Sequence, residues 1–133
     1  MNPFFVFLSA AYVFAIFFLA DSGVVSQIGN FNPYSLLHLP LYGLLTLLLL
    51  LSLCTGRGKF TKGRVIVAGL IAGAVGSLDE FHQSFIPTRD ASITDLLLDG
   101  VGITLTMVFF HRLLPILRVN FSKIVRKSGI KYP

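Results

Sequence analysis

GSLDEFHQSFIPTRDASITDLLLDGVG, residues Gly76 to Gly102, sets a dense polar cluster between two long apolar runs. The chain has six acidic residues, and five of them (Asp79, Glu80, Asp90, Asp95 and Asp99) fall in this window, together with His82, Gln83 and Arg89. Ionisable groups are costly to hold between apolar segments, so such a cluster marks either a functional site or a polar brace between helices.

Composition sets the surroundings of this window. The chain has 133 residues, enough for one domain; 54% are hydrophobic and 13% charged, and the mean hydropathy is +0.79. Soluble domains carry about 25% charged residues. The fold class expected is all-α: a polytopic membrane protein built as a four-transmembrane-helix bundle. Four spans of about 20 residues leave only short loops and a tail. The net charge of +5 belongs to basic residues that flank apolar runs. That pattern points to membrane topology rather than to nucleic acid. Cys54 is the only cysteine, which excludes an intramolecular disulfide, and no CxxC or other zinc signature is present.

Helices are expected at roughly 4–20, 35–53, 64–85 and 93–111, with a tail over 113–133. The first run, Phe4 to Ala20, has no positively charged leader and no A-x-A site after it, and reads as a retained membrane helix rather than a signal peptide. The stretch from Asp21 to Pro33 holds two Gly, two Asn and a Pro, and reads as a loop. In the second helix His38 and Tyr42 are four apart and share a face, and Pro40 falls in the first turns, where a missing donor costs little. The third helix carries small residues, Gly69 and Gly73 in a GxxxG pair with Gly76 beyond, a face suited to close helix approach in lipid. Pro87 ends it, and Ser92 or Thr94 caps the fourth helix with Asp95 in its first turn.

Depth and orientation follow from the charges. Arg64 and Asp79 bracket fourteen residues, so the third helix has risen only about 22 Å when it reaches Asp79. The hydrocarbon core is about 30 Å thick, which puts Asp79 and Glu80 inside it. The loop ending at Arg64 has four basic residues and the chain from Arg112 onward six, against Arg89 alone in the other two loops. The positive-inside rule then places both termini in the cytoplasm of a cell (inner) membrane, with the acidic window facing outward. The basic tail reads as an amphipathic segment on an anionic membrane surface.

On the third helix Asp79, His82 and Gln83 share a face, as do Asp95, Asp99 and Gly102 on the fourth. A short turn makes these helices antiparallel neighbours, so the two faces meet near the outer surface, with His38 and Tyr42 at similar depth. Asp79, Glu80, His82 and Asp95 are the candidate catalytic residues. Grouped carboxylates can share a proton and work as an acid–base pair, with His82 or His38 as base. His38, Tyr42, Gln83, Arg89 and Asp99 are the candidate binding residues, Arg89 as a bidentate counter-ion to the acids. The acids are hard oxygen donors, but their spacing matches no metal motif, so no metal ligand and no cofactor is assigned. Two further readings are a purely structural polar network and, less well served by the leucine-rich inner halves, an ion path.

The window resembles the signature of the VanZ-like family of small four-helix membrane proteins, approximately D-E-x-x-Q-x-F-x-P-x-R followed by D-x-x-x-N/D-x-x-G. Asp79, Glu80, Gln83, Phe85, Pro87, Arg89, Asp95, Asp99 and Gly102 fill those places, and His38, Tyr42 and Leu45 match an earlier H-x-x-x-Y-x-x-L element. The chain departs from the family in having Asn32-Pro33-Tyr34 where an Asp-Lys pair often precedes the His, and the place of Asp99 is often Asn. The resemblance implies a cell-envelope protein whose family namesake is associated with resistance to teicoplanin-type glycopeptides. Membrane lipids are the expected surroundings; the pocket reading of the acids takes a lipid-linked or glycan precursor as partner, and the resemblance adds the envelope context and, as the other expected partner, a glycopeptide-related ligand.

Overall fold

The computed structural model describes residues 1–20, 34–54, 61–86 and 92–127; side chains are described to residue 18 in the first helix, from 36 in the second and up to 112 in the fourth. Four helices account for nearly all of it: α1 Pro3–Ala20, α2 Tyr34–Cys54, α3 Lys62–Gln83 and α4 Ile93–Lys127. Three contain stretches long and apolar enough to cross a membrane, Leu36–Cys54, Lys62–Gln83 and Ile93–Arg112. The apolar stretch described in α1, Pro3–Phe18, is shorter.

The side chains are sorted for lipid rather than for water. Phe7, Phe14, Leu36, Leu70, Phe81, Leu97 and Phe109 are exposed, while His38, Thr46, Asp79, Glu80, Gln83 and Asp99 are buried. A water-soluble bundle has the opposite pattern. In lipid the apolar exterior costs nothing, and polar groups face the bundle interior or one another.

The helices alternate in direction. At one end Asn2 N–H donates to Ser52 O at 2.8 Å, and Arg64 Nη1 donates to Leu53 O at 3.0 Å, so the start of α1, the end of α2 and the start of α3 lie together. Thr61 caps α3, its hydroxyl accepting from Arg64 N–H. At the opposite end Ser92 N–H donates to Glu80 Oε2 at 2.8 Å and joins the end of α3 to the start of α4. Two apolar layers lie between. Ile16, Tyr42, Leu45, Ala72 and Ile103 form one, and Leu50, Cys54, Val65, Ala68 and Phe110 form the other, nearer the Arg64 end.

The most extensive packing is α2 against α4, and Gly102 permits it. A Cβ there would run into the Leu39 carbonyl, a backbone group that cannot rotate aside. On α3 the close approach is at Gly76, where a Cβ would lie 2.8 Å from Asp99 Oδ2 and 3.3 Å from Tyr42 Cε1. The GxxxG reading of α3 is therefore only half realised. Gly69 packs under Met107, but nothing lies within 4 Å of a Cβ at Gly73.

Two expected boundaries differ. The third helix starts at Lys62 because Thr61 supplies a side-chain cap, so Arg64 belongs to its first turn. The fourth helix does not stop near 111. It continues as one 35-residue helix to Lys127, across Pro115, so most of the expected separate tail is helix continuous with the span. His111 and Arg112 mark a change of polarity, and polarity alone does not break a helix. The loop readings over 21–33 and the turn residues Pro87 and Arg89 lie outside the described residues.

Gly102→Ala is expected to destabilise the bundle by about 1–3 kcal/mol through overpacking against the Leu39 backbone. Gly73→Ala, into open space, is expected to leave stability unchanged or slightly raised. Thermal unfolding in detergent, followed by circular dichroism, checks both.

Candidate functional site

Each helix of the pair α3–α4 brings its acids to the interior at the same end. On α3, Asp79 is 2% exposed and Glu80 is 7% exposed; on α4, Asp99 is 1% exposed and Asp95 is partly buried. The i, i+4 spacing of Asp95 and Asp99 stacks them on one face of α4, as their sequence positions require. From α2, His38 and Tyr42 enter one turn apart with their rings stacked at 6.1 Å between centroids.

Three cross-helix hydrogen bonds tie the cluster together. His38 Nδ1 lies 2.9 Å from Asp99 Oδ1. With Asp99 ionised its oxygen can only accept, so Nδ1–H is the donor; the ring's other nitrogen, Nε2, then keeps its lone pair in the neutral ring and carries a proton in the imidazolium. Tyr42 O–H donates to Asp79 Oδ2 at 3.0 Å, and Gln83 Nε2 donates to the same oxygen at 3.1 Å. Glu80 Oε2 accepts from the Ser92 backbone N–H at 2.8 Å, an orphan donor beside the N-terminus of α4. Ser92 also caps that helix, its Oγ accepting from Thr94 N–H at 3.2 Å.

Several groups are left over. Asp79 Oδ1, Glu80 Oε1, Asp95 Oδ1 and Asp99 Oδ2 are buried with no hydrogen-bond partner. Glu80 Oε1 stands 3.9 Å from His38 Nδ1, and Asp95 Oδ2 stands 3.9 Å from His38 Nε2. These separations exceed a hydrogen bond. Among the described residues, the cluster holds four carboxylates and at most one positive charge, that of His38. A buried carboxylate oxygen without a donor is expensive, so four of them together define a strong acceptor site for hydroxyls, ammonium groups or a cation.

The cluster is open on one side. A cleft of about 260 Å³ between α3 and α4 is lined by Glu80, Phe81, Ser84, Ser92, Ile93 and Leu96. A larger groove of about 660 Å³ runs between α2 and α4 along Leu44, Leu47, Leu105 and Phe109, with Arg112 at its far end. It is apolar and does not reach the acids.

Most of the residues singled out in the sequence come together: His38, Tyr42, Asp79, Glu80, Gln83, Asp95 and Asp99. His82 does not join them in the way its helical spacing suggested. Its ring packs against Phe17 of α1, 5.5 Å between centroids, because α1 covers that flank of α3. Arg89, expected as counter-ion, lies outside the described residues. The Ser92 backbone N–H was not foreseen as part of the site. Its only sequence signal is the cap position that precedes Asp95, which places a free donor opposite Glu80.

Comparison with protein families, curated proteins and solved structures returns no match to this chain.

Tyr42→Phe removes one of the two donors to Asp79 Oδ2 while preserving the ring that fills the core. The expected loss of stability is about 0.6–1.7 kcal/mol, the range for interhelical hydrogen bonds in membranes. Reversible unfolding in mixed micelles measures it. An unchanged or increased stability would mean that this bond does not brace α2 to α3.

Proposed function

We propose that the chain is a VanZ-like protein of the cell (inner) membrane with four spans, both termini in the cytoplasm and the acidic cluster facing outward. In this reading the cluster binds the hydroxyl- or amine-bearing head of a lipid-linked or glycan envelope precursor, and the chain contributes in this way to tolerance of teicoplanin-type glycopeptides. The observation that carries the reading is the cleft reaching Glu80, whose Oε1 lacks a donor behind it. Carboxylates suit such a head because sugar hydroxyls and amines bring the donors that the cluster lacks. The resemblance of the window and of the His38–Tyr42 element to the family pattern supplies the envelope context.

A second reading rests on a separate observation, the three cross-helix bonds His38–Asp99, Tyr42–Asp79 and Ser92–Glu80. In that reading the network only braces the helices. Magnitudes weigh against it as the whole account. Interhelical hydrogen bonds in membranes average about 0.6 kcal/mol each. An Asp near the bilayer centre costs about 3 kcal/mol on the insertion scale, and less toward the edge.

Asp95→Asn separates the readings, because Asp95 Oδ1 has no bond to lose. Binding predicts a variant that accumulates and unfolds like the unaltered chain but retains at least about tenfold less polyprenyl-linked saccharide on purification, measured by mass spectrometry of extracted lipids. It also predicts loss of any teicoplanin tolerance that expression of the chain confers. Bracing predicts a variant that accumulates normally, since Asp95 makes none of the three bracing bonds, with no change in retained lipid per molecule.

Orientation has its own test. Native Cys54 is buried, so cysteines are introduced singly in a Cys54→Ala background at exposed Ser84 and exposed Thr61. A membrane-impermeant maleimide added to intact cells is expected to label position 84 and not 61. The reverse result would invert the topology.

A further inference from the structure

We infer that His38, Glu80 and Asp95 form a binding site for one first-row divalent cation of the zinc or manganese class, with Asp99 as the residue that orients the histidine. The inference is independent of the envelope reading. It would nonetheless explain how an acidic cluster can accept a head group that carries phosphate, since a divalent cation offsets the repulsion between them.

Two kinds of observation point to it. The first is the donor set. One ligand atom from each of His38, Glu80 and Asp95 lies within 4.8 Å of the others. Two ligands held at about 2.0–2.2 Å from one tetrahedral cation stand about 3.3–3.6 Å apart. The 3.9 Å between His38 Nε2 and Asp95 Oδ2 closes to that with a movement of a few tenths of an ångström, and the widest separation in the set closes with a side-chain movement of about 1 Å.

The second observation concerns where the unpartnered atoms point. Glu80 is more than nine-tenths buried, and its Oε2 is held by Ser92 N–H, which fixes the carboxylate and leaves the buried Oε1 without a hydrogen-bond partner, 3.9 Å from the His38 ring at Nδ1. His38 is similarly constrained. With Nδ1–H given to Asp99, the Nε2 of the neutral ring faces a carboxylate oxygen 3.9 Å away, so two acceptors confront each other and either a proton on Nε2 or a metal cation joins them. A histidine whose far nitrogen is hydrogen-bonded to a carboxylate is the usual arrangement behind a metal ligand, since it fixes the tautomer and raises the basicity of the ligating nitrogen.

The ligand set also indicates the metal. One imidazole nitrogen with two carboxylates suits zinc, manganese or iron better than magnesium or calcium, which prefer oxygen alone. Three protein ligands leave a coordination position free, as in sites where a metal holds water or a substrate oxygen. The cleft lined by Glu80 and Ser92 gives that position a route outward. Asp79 is not among the ligands, being engaged with Tyr42 and Gln83.

The test uses the full chain purified in detergent and stripped with a chelator. Calorimetric titration with ZnCl₂ or MnCl₂ is expected to show about one equivalent bound per chain, with MgCl₂ at least tenfold weaker. Co²⁺ is expected to give visible absorption bands that His38→Gln abolishes. Asp95→Asn and Glu80→Gln keep the shape of the site, and each is expected to weaken zinc binding at least about tenfold. Asp99→Asn removes no ligand and is expected to weaken it by about 10–100-fold through the histidine. Gel filtration and circular dichroism confirm that each variant is folded, and Asp95→Asn, which loses no hydrogen bond, serves as the reference if another variant is not. Absence of stoichiometric binding by the unaltered chain would overturn the inference. So would binding by Asp95→Asn equal to that of the unaltered chain, or a cobalt spectrum that survives in His38→Gln, which would assign the metal to another histidine such as His111.

Discussion

His38 and Asp99 meet at 2.9 Å across the boundary between α2 and α4, and the rest of the polar interior is arranged around that contact. The contact depends on a backbone approach one turn along. Gly102, three residues after Asp99, lies against the carbonyl of Leu39, the residue next to His38, with no room for a side chain. Because the helices come that close, the imidazole lies beside the Asp99 carboxylate. Gly76 leaves room on α3 for the Asp99 and Tyr42 side chains, so that Asp99, Tyr42 and Asp79 lie side by side. Small residues thus do more than promote packing: they set the depth and spacing at which charged groups meet.

The surroundings make the cluster consequential. The exterior of the bundle is phenylalanine and leucine, and the described interior at this level holds four carboxylates and one imidazole. In an apolar medium every unpaired acceptor retains nearly its full desolvation cost, because water is not at hand to compensate. The three cross-helix hydrogen bonds return only about 2 kcal/mol together on the scale measured for membrane helices. The four acceptor oxygens left over are what the proposed ligand and cation readings rest on, and the cleft lined by Glu80 lies beside them.

Much of this was legible in the chain itself. Apolar runs of about 20 residues and the exclusion of charge from them gave the helices, and i, i+4 spacing gave the shared faces of His38 with Tyr42 and of Asp95 with Asp99. The meeting of α3 and α4 followed from the short turn between them. What helical spacing could not supply was which flank each neighbour covers. His82 shares a face with Asp79 and Gln83, yet α1 packs on that flank and Phe17 takes the ring. The GxxxG pattern on α3 suggested two packing glycines, but neighbours lie only over Gly69. The end of α4 is not legible in the polarity pattern, because His111 and Arg112 interrupt the apolar run while the helix continues past them to Lys127. The ligand-like triad of His38, Glu80 and Asp95 was not recognised as a set because its members come from three helices, so no spacing rule links them.

The most direct test of the central contact is the protonation pattern of the His38 ring, read by ¹⁵N side-chain NMR of the histidine-labelled chain in bicelles without added metal, with His38→Gln to assign the signals. The account predicts a proton on Nδ1, held in the hydrogen bond to Asp99, and an Nε2 that carries a lone pair and shifts on addition of zinc. A neutral ring with its proton on Nε2 and a bare Nδ1, unaffected by Asp99→Asn, would contradict it.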